Sequence, residues 1–432
     1  MLQPKIWTTL RTYTLAQLKS DIFAGVTVAM VALPLSLAIA IASGAKPADG
    51  LVTAIVAGFL ISFLGGSRVQ IGGPTGAFIV VVYSVISNHG YDGLVLATFI
   101  AGILLVVAGY FRFGSLISYV PEPVINGFTI GIAILIATSQ LKDLLGLTFI
   151  KLPTDFLETW PAIWHARHTF SPDAFGTALG TIALILVLRR AAPKFPGLIF
   201  AVGLASLVAL VADFRVDTIA DRFGSLPSHL PTPTLPTVSF AKAVEVLPSA
   251  ITIAFLAGIE SLLSAMVADR MISAREATSI SPVKPQHRPN AEILAQGIAN
   301  IGSSLFGGLP ATGAIARTAT NIRAGAQTPV AGIVHAVTVM VTMIFASRWA
   351  GQLAMPALAG LLILTAWNMS EPKKWLGYMR ERASDRVLLL VTLALTVIAD
   401  LTIAIGVGVA LGLALRMRER GVSKPRWPTP DH

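Results

Sequence analysis

Two ionisable residues fall inside apolar runs of the sequence, where an unpaired charge is costly. Glu260 lies roughly 18 Å along a helix from Pro248, near the middle of its run, and Arg317 follows Gly313 by about one helical turn. A guanidinium at such a depth would supply a full positive charge that can bind an anion. A protonated carboxylate can carry a proton or offer a hydrogen bond, so both residues are candidates for function. The alternative interpretation is a structural Glu260–Arg317 pair that neutralises itself.

Two similar glycine-rich phrases, GGPTGA at 72–77 and GLPATGA at 308–314, each precede a short apolar segment. Glycine lets a ligand approach bare backbone, and proline near a helix start costs no intrahelical hydrogen bond. A helix start presents unpaired N–H groups and about half a positive charge, so two starts aimed at one point would form an anion site. Thr75 and Thr312 could add hydroxyl donors, although such threonines commonly bond their own helix. The candidate residues are Thr75, Gly76, Ala77, Thr312, Gly313 and Ala314.

The composition indicates that a membrane positions these residues. The 432-residue chain is 54% hydrophobic and 12% charged with a mean hydropathy of +0.74, whereas a soluble domain carries about 25% charged residues. We predict an all-α polytopic membrane protein with about 14 transmembrane segments. Several segments, including 75–88 and 313–325, are too short to cross ~30 Å of hydrocarbon as straight helices, which predicts half-helices at the third and tenth spans. The segments are 22–43, 50–64, 75–88, 93–111, 124–141, 174–190, 196–212, 246–267, 291–306, 313–325, 329–346, 355–369, 386–399 and 402–416.

The distribution of basic residues predicts the orientation. An even number of spans puts both termini on one side, and most of the 32 Lys and Arg residues then fall on the side of the termini. We therefore expect cytoplasmic N- and C-termini in the cell inner (plasma) membrane. The net charge of +10 is explained by this topology, so no nucleic-acid partner is predicted. The chain has no cysteine and its seven histidines are scattered, so no metal or cofactor is predicted.

The phrases belong to a longer internal echo. LPLSLAIAIASG at 33–44 corresponds to LPSAITIAFLAG at 247–258, and a polar insert at 269–290 accounts for the different spacing to the next phrase. Two homologous halves, roughly 20–212 and 246–416, would each hold seven spans, and an odd number inverts the second half. Inverted repeats with a site near the membrane midplane are typical of secondary transporters. The alternative is ordinary helix packing through small residues.

Four stretches carry a resemblance to the sulfate permease (SulP) family of anion transporters: DIFAGVTVAMVALPLSLAIAIASG, QIGGPTGAF, IAFLAGIESLLSAMVAD and NAEILAQGIANIGSSLFGGLPATGAIARTATN. The resemblance implies two inverted seven-span repeats, as in uracil permeases and band 3-type exchangers, with a core domain that moves against a gate domain. Family members usually continue into a cytoplasmic STAS domain, whereas this sequence ends at His432. The expected regions are a cytoplasmic lead-in (1–20), core (21–112 and 244–347), gate (113–243 and 348–416) and cytoplasmic tail (417–432).

The resemblance also implies roles for single residues. The family's anion site maps to the two phrases, and its frequent arginine after the tenth helix start matches Arg317. Leu35 and Ile39 would face this site from the first helix. Glu260 occupies the position of an aspartate in the sodium-coupled bicarbonate members, and Ser264 that of a threonine. A glutamate there is similar to the proton-coupled members.

These observations predict a proton-coupled symporter or exchanger for a small anion such as sulfate, bicarbonate or a dicarboxylate, working by an elevator-type mechanism. The other candidates are a sodium-coupled bicarbonate symporter, an anion channel and a nucleobase permease of the same fold. An intramembrane hydrolase is disfavoured, because the spans hold no His-Glu-x-x-His motif, no paired aspartates and no serine with a histidine base. The expected partners are the anion, a coupling proton rather than sodium, the lipid bilayer and, from the resemblance, a homodimer mate.

Overall fold

The computed structural model describes residues 2–114, 120–149, 156–192, 195–276, 287–399 and 401–418. Most of these residues are helical. There are also two strands of two residues each in the described ranges, β1 (Gly72–Gly73) and β2 (Thr312–Gly313). The helices are α1 (Ile6–Thr9), α2 (Leu15–Ala42), α3 (Pro47–Leu64), α4 (Ile79–Tyr110), α5 (Glu122–Leu145), α6 (Phe156–Ala166), α7 (Pro172–Ala191), α8 (Gly197–Val211), α9 (Ile219–Phe223), α10 (Phe240–Glu276), α11 (Pro289–Leu305), α12 (Ile315–Arg323), α13 (Val330–Ala350), α14 (Met355–Met369), α15 (Trp375–Tyr378), α16 (Ala383–Ile398) and α17 (Leu401–Arg418).

The helical membrane architecture is confirmed. In the described ranges, seven helices are long and apolar enough to cross a membrane. Helices suit such segments because every backbone polar group must be satisfied within the segment when no water is present. Each of the fourteen predicted segments lies mainly on a helix, and the fourteen crossings themselves stay a prediction. The predicted segments 75–88 and 93–111 both lie mainly on α4, which is kinked at Gly90, whose φ of 71° and ψ of −178° are not helical.

Two strands of two residues each accompany the helices of this all-α membrane fold. β1 and β2 pair antiparallel, with Gly72 opposite Gly313 and Gly73 opposite Thr312, and the Ala314 N–H donates to the Ile71 carbonyl at 2.8 Å. Extended backbone among apolar helices needs partners for its N–H and C=O groups. The segments before α4 and α12 supply these partners to each other. The two glycine-rich phrases, distant in sequence, therefore meet directly.

The most extensive helix contacts fall into two groups, and smaller contacts of α2 with α8 and α14 join the groups. In one group α2 packs on α3 and α13, while α4 packs on α10 and α11; in the other α5 packs on α14 and α16, and α7 on α8 and α14. The pairings recur between the halves of the chain: α2 with α13 matches α10 with α4, α3 with α13 matches α11 with α4, and α7 with α8 matches α16 with α17. Buried residues of both groups, including Ile39 and Ile136, share one apolar cluster.

A buried carboxylate fastens the turn after α12 to the start of α2. Asp21 is fully buried, and its Oδ1 accepts from the backbone N–H groups of Gln327 and Thr328 at 2.8 and 3.2 Å. Its Oδ2 accepts from the hydroxyls of Thr328 and Tyr13 at 2.5 and 3.0 Å. Burial and the neighbouring Asp21 carboxylate raise the pKa of Tyr13 to about 12, so this phenol stays a donor at neutral pH.

Candidate anion site beside the paired strands

Arg317 lies in the first turn of α12 and is the largest fully buried side chain among the described residues, at 1% exposure. Its Nη2 donates to the Pro74 carbonyl at 3.0 Å and to Ser36 Oγ at 3.2 Å. Nε and Nη1 have no hydrogen-bond partner in the part of the chain the structure describes. A buried cation with unused donors is costly unless an anion pairs with it, so the guanidinium fits the binding of an anion.

Two helix starts flank this guanidinium. Thr75 precedes a 3-10 turn at Gly76–Phe78 that runs into α4, and Ala314 precedes α12. Neither of these two cap residues makes a side-chain hydrogen bond to the first N–H groups of its helix. The partial positive charge of both starts adds to that of Arg317.

Glu260 lies partly buried on α10 and bonds to the other half of the chain. Its Oε2 accepts from Thr75 Oγ1 at 2.8 Å, which explains why Thr75 does not cap its own helix. Among the ion pairs of the described residues, none joins Glu260 to Arg317. The alternative of a directly paired, self-neutralising glutamate and arginine therefore does not describe this geometry.

The other predicted hydroxyls are engaged by the protein itself. Thr312 Oγ1 donates to the Ala257 carbonyl at 2.8 Å, and both partners lie on the second half of the chain. Ser264 is fully buried, and its hydroxyl shares a hydrogen bond of 3.0 Å with Thr318 Oγ1 rather than with Glu260. These two hydroxyls tie α10 to β2 and to α12.

The two central glycines of the phrases are in close contact with side chains. A Cβ placed on Gly313 would lie 1.6 Å from Gln70 Nε2, so the glutamine amide occupies the space of a side chain. A Cβ on Gly76 would lie 2.9 Å from Met369 Sδ and 3.5 Å from Ile136 Cδ1. Because Ile136 belongs to α5 and Met369 to α14, Gly76 lies where the two packed groups of helices meet.

The remaining predicted residues form the apolar surroundings. Ala77 is partly buried, and Ala314 is buried at the start of α12. Leu35 is partly buried and Ile39 fully buried, both in the apolar cluster shared by the two groups of helices. The residue of α2 that bonds Arg317 is Ser36, next to Leu35.

Sequence reasoning missed three partners of the site. Ser36 and the Pro74 carbonyl hold Arg317, and the available signal was a serine in the repeated stretch 33–44 and a proline in the phrase 72–77. Glu292 was missed altogether although it is an ionisable residue inside a predicted span, which is the signal that identified Glu260.

Glu292 is fully buried on α11 and bound from three directions. Its Oε2 accepts from the N–H groups of Gly66 and Ser67 at 2.8 and 3.1 Å, and its Oε1 from Ser261 Oγ and Gln296 Nε2 at 3.1 and 3.0 Å. Ser261 also accepts from Gln70 Nε2 at 2.8 Å, the amide that lies against Gly313. This network links α10, α11 and the segment that leads into β1.

The fold and the site thus define a helical membrane protein with a buried cationic site at the crossing of two interrupted helices. Residues 18–392 match the profile of the Sulfate permease family. The chain therefore belongs to that family of membrane anion transporters, as the motifs implied.

Curated relatives include sulfate and bicarbonate transporters. The chain is 42% identical over 392 residues to the Putative sulfate transporter YvdB of Bacillus subtilis, covering 90% of this chain and 72% of that protein. It is 29% identical over 369 residues to the Bicarbonate transporter BicA of Picosynechococcus, covering 80% of this chain and 60% of that protein.

Solved structures agree with the fold. The transmembrane domain of a cyanobacterium bicarbonate transporter BicA superimposes with a TM-score of 0.80 at 28% identity, covering 91% of this chain and 98% of that one. Murine Slc26a9, an anion transporter in the inward-facing state, superimposes with a TM-score of 0.84 at 17% identity, covering 97% of this chain and 71% of that one. At that identity the second match speaks for the fold alone.

Proposed function

We propose that this chain is a secondary active transporter of a small oxyanion of the sulfate, bicarbonate or dicarboxylate class. The observation that carries the proposal is Arg317, a buried guanidinium with unused donors beside two uncapped helix starts. The charge of the guanidinium and the two helix dipoles together suit a small anion that loses its hydration water when it binds. The printed names of the relatives, sulfate and bicarbonate transporters, lie within this class.

We further propose that Glu260 carries a coupling proton. Its carboxylate accepts a hydrogen bond from Thr75, the residue that directly precedes the helix start at Gly76. An ionised carboxylate there repels an incoming anion, whereas a protonated one does not, so anion and proton would bind together. Proton-driven symport follows from this electrostatic linkage without a metal ion.

We propose an elevator-type mechanism in which the core (21–112 and 244–347) moves against the gate (113–243 and 348–416). Two observations support it: the most extensive helix contacts fall into the same two groups, and a Cβ on Gly76 would meet Ile136 and Met369 at their boundary. The recurring contacts between the halves support an inverted repeat of seven spans each. We also propose that the protein lies in the inner (plasma) membrane of the cell with both termini in the cytoplasm. We propose that it assembles as a homodimer.

Uptake of labelled sulfate, bicarbonate or fumarate into proteoliposomes tests the substrate class. We expect saturable uptake of one of them, and Arg317→Ala should raise its KM at least tenfold, because removing a charge-assisted hydrogen bond costs about 1.5–3 kcal/mol. Arg323→Ala is the matched control, since Arg323 is an exposed arginine at the other end of α12. Equal KM values for the two variants would contradict an anion site at Arg317.

An acid-outside gradient tests the coupling. We expect it to stimulate uptake by the unmodified protein and not by Glu260→Gln, in which the side chain cannot change charge. Glu245→Gln is the control, because Glu245 lies on the same helix with an exposed carboxylate. If a sodium gradient drives uptake instead, the proposed proton coupling is wrong while the anion site stands.

A further inference from the structure

The connection between α14 and α16, residues 370–382, exposes large apolar side chains. Leu376 and Met379 are 75% and 63% exposed, and Trp375 is also exposed. The Trp375 ring packs edge to face on Trp367 at the end of α14, and its Nε1 donates to the Ser370 carbonyl. Tryptophan side chains at the end of a membrane helix are typical of the boundary between headgroups and acyl chains. We therefore place this connection at headgroup depth.

The same stretch carries an excess of positive charge. Within 371–386, three acidic residues stand against five basic ones: Lys373, Lys374, Arg380, Arg382 and Arg386. Glu371 is occupied, because its Oε2 accepts from Lys374 Nζ at 2.8 Å and from the Tyr378 hydroxyl at 3.3 Å. Among the ion pairs of the described residues, none includes Arg386. The stretch 371–386 therefore carries a net positive charge, and Arg386 lies beside Asp385 in the first turn of α16.

A groove of about 250 Å³ lies between the connection and α16. Arg386 is the charged residue of its lining, most of the other lining residues are apolar, and the side chains of Val387 and Leu390 are exposed. Along α16, which contains most of the predicted span 386–399, the cation precedes the apolar residues, in the order in which the phosphate and the acyl chain of a lipid are joined. The lining, which we call the basic groove, consists of Tyr378, Met379, Ala383, Arg386, Val387, Leu389 and Leu390.

We propose that the basic groove binds an anionic phospholipid, with its phosphate on Arg386 and an acyl chain along Val387 and Leu390. The charge complementarity favours an anionic over a zwitterionic headgroup, because a choline group would add a second cation beside Arg386. The apolar walls favour a lipid over a free phosphate ion, which gains nothing from them. This site is separate from Arg317 and does not depend on the proposed transport activity.

Native mass spectrometry of the purified protein titrated with phosphatidylglycerol or phosphatidylcholine tests the site. We expect preferential retention of phosphatidylglycerol, with about fivefold weaker apparent affinity in Arg386→Gln, the ratio for one basic residue near an anionic surface. Arg190→Gln is the matched control, since Arg190 is an exposed arginine in the last turn of α7, and we expect less than a twofold change. Inorganic phosphate at millimolar concentration should not displace the lipid.

A second variant tests the apolar wall. Leu390→Gln keeps the cation and replaces an exposed apolar surface, so we expect weaker retention of phosphatidylglycerol than in the unmodified protein. The proposal is overturned if both lipids are retained equally, if Arg386→Gln behaves as Arg190→Gln does, or if inorganic phosphate competes for the site. Unchanged retention in Leu390→Gln would overturn it even if Arg386→Gln failed to fold.

Discussion

Replacing Gly73 by alanine tests how tightly β1 holds Arg317. Gly73 has a φ of 150°, a backbone angle that residues other than glycine rarely adopt. A Cβ there would lie 2.5 Å from Arg317 Nη1. Non-bonded atoms settle at about 3.5 Å or more, so the guanidinium would have to retreat by about 1 Å.

The magnitude follows from the two bonds of Nη2. The bond to the Pro74 carbonyl has the usual length of 3.0 Å and the bond to Ser36, at 3.2 Å, lies at the long end of the range, so a shift of about 1 Å breaks at least one of them. A hydrogen bond to a charged group contributes about 1.5–3 kcal/mol, and the strained backbone adds about 1–3 kcal/mol. We expect Gly73→Ala to lower the free energy of unfolding by about 2.5–6 kcal/mol and to raise the KM for the anion about tenfold or more.

Gly90→Ala separates the two contributions. Gly90 also has a positive φ, 71°, but a Cβ there would have nothing within 4 Å, so this variant carries only the backbone strain. Thermal unfolding in detergent, followed by tryptophan fluorescence, and uptake KM in proteoliposomes measure both effects. If Gly73→Ala matches Gly90→Ala in melting temperature and in KM, the glycine does not position Arg317 and the reasoning fails.

Three further substitutions test the network around the site. Glu292→Ala should melt well below Glu245→Ala, because it leaves two buried backbone N–H groups unpaired at about 1–3 kcal/mol each, and equal melting would contradict the network. Asp21→Ala should speed proteolysis at the turn after α12, since the carboxylate holds that turn through two N–H groups, whereas an unchanged cleavage rate would deny it this role. Thr75→Val removes the hydrogen-bond donor to Glu260, so the stimulation of uptake by an acid-outside gradient should change in size while Arg317 still binds the anion. An unaltered pH profile would show that Thr75 does not influence Glu260.

The helices and the meeting of the two phrases could be predicted from the sequence. Long apolar runs leave the backbone only helical solutions in a membrane, and glycines at the helix starts allow two backbones to approach. The pairing of Gly72 with Gly313 could not be predicted, because a strand of two residues leaves no alternating pattern to detect. The pairing depends instead on tertiary placement of two segments that are remote along the chain.

The partners of single side chains were also beyond the sequence. Thr312 and Ser264 were expected to face the ligand or a coupling ion, a prediction that stays untested, and their hydroxyls bond Ala257 and Thr318. Spacing along a helix gives the height of a residue, whereas the direction of its hydroxyl depends on which neighbouring helix packs there. Ser36 illustrates the same limit, since only the packing of α2 against α12 brings it to Arg317.

Hydrogen bonding distinguishes the two buried carboxylates that composition treats alike. Glu292 accepts four hydrogen bonds from α10, α11 and the segment before β1, so protonating it would break contacts that hold three parts of the fold together. Among the hydrogen bonds of the described residues, Glu260 takes part in one, with Thr75. A carboxylate that carries a proton has to gain and lose it without unlocking the fold, and a residue with one adjustable hydroxyl partner can do so. We therefore propose that Glu260 exchanges the proton and that Glu292 has a structural role, and we expect Glu292→Gln to lower the stability of the protein while leaving its response to a proton gradient intact.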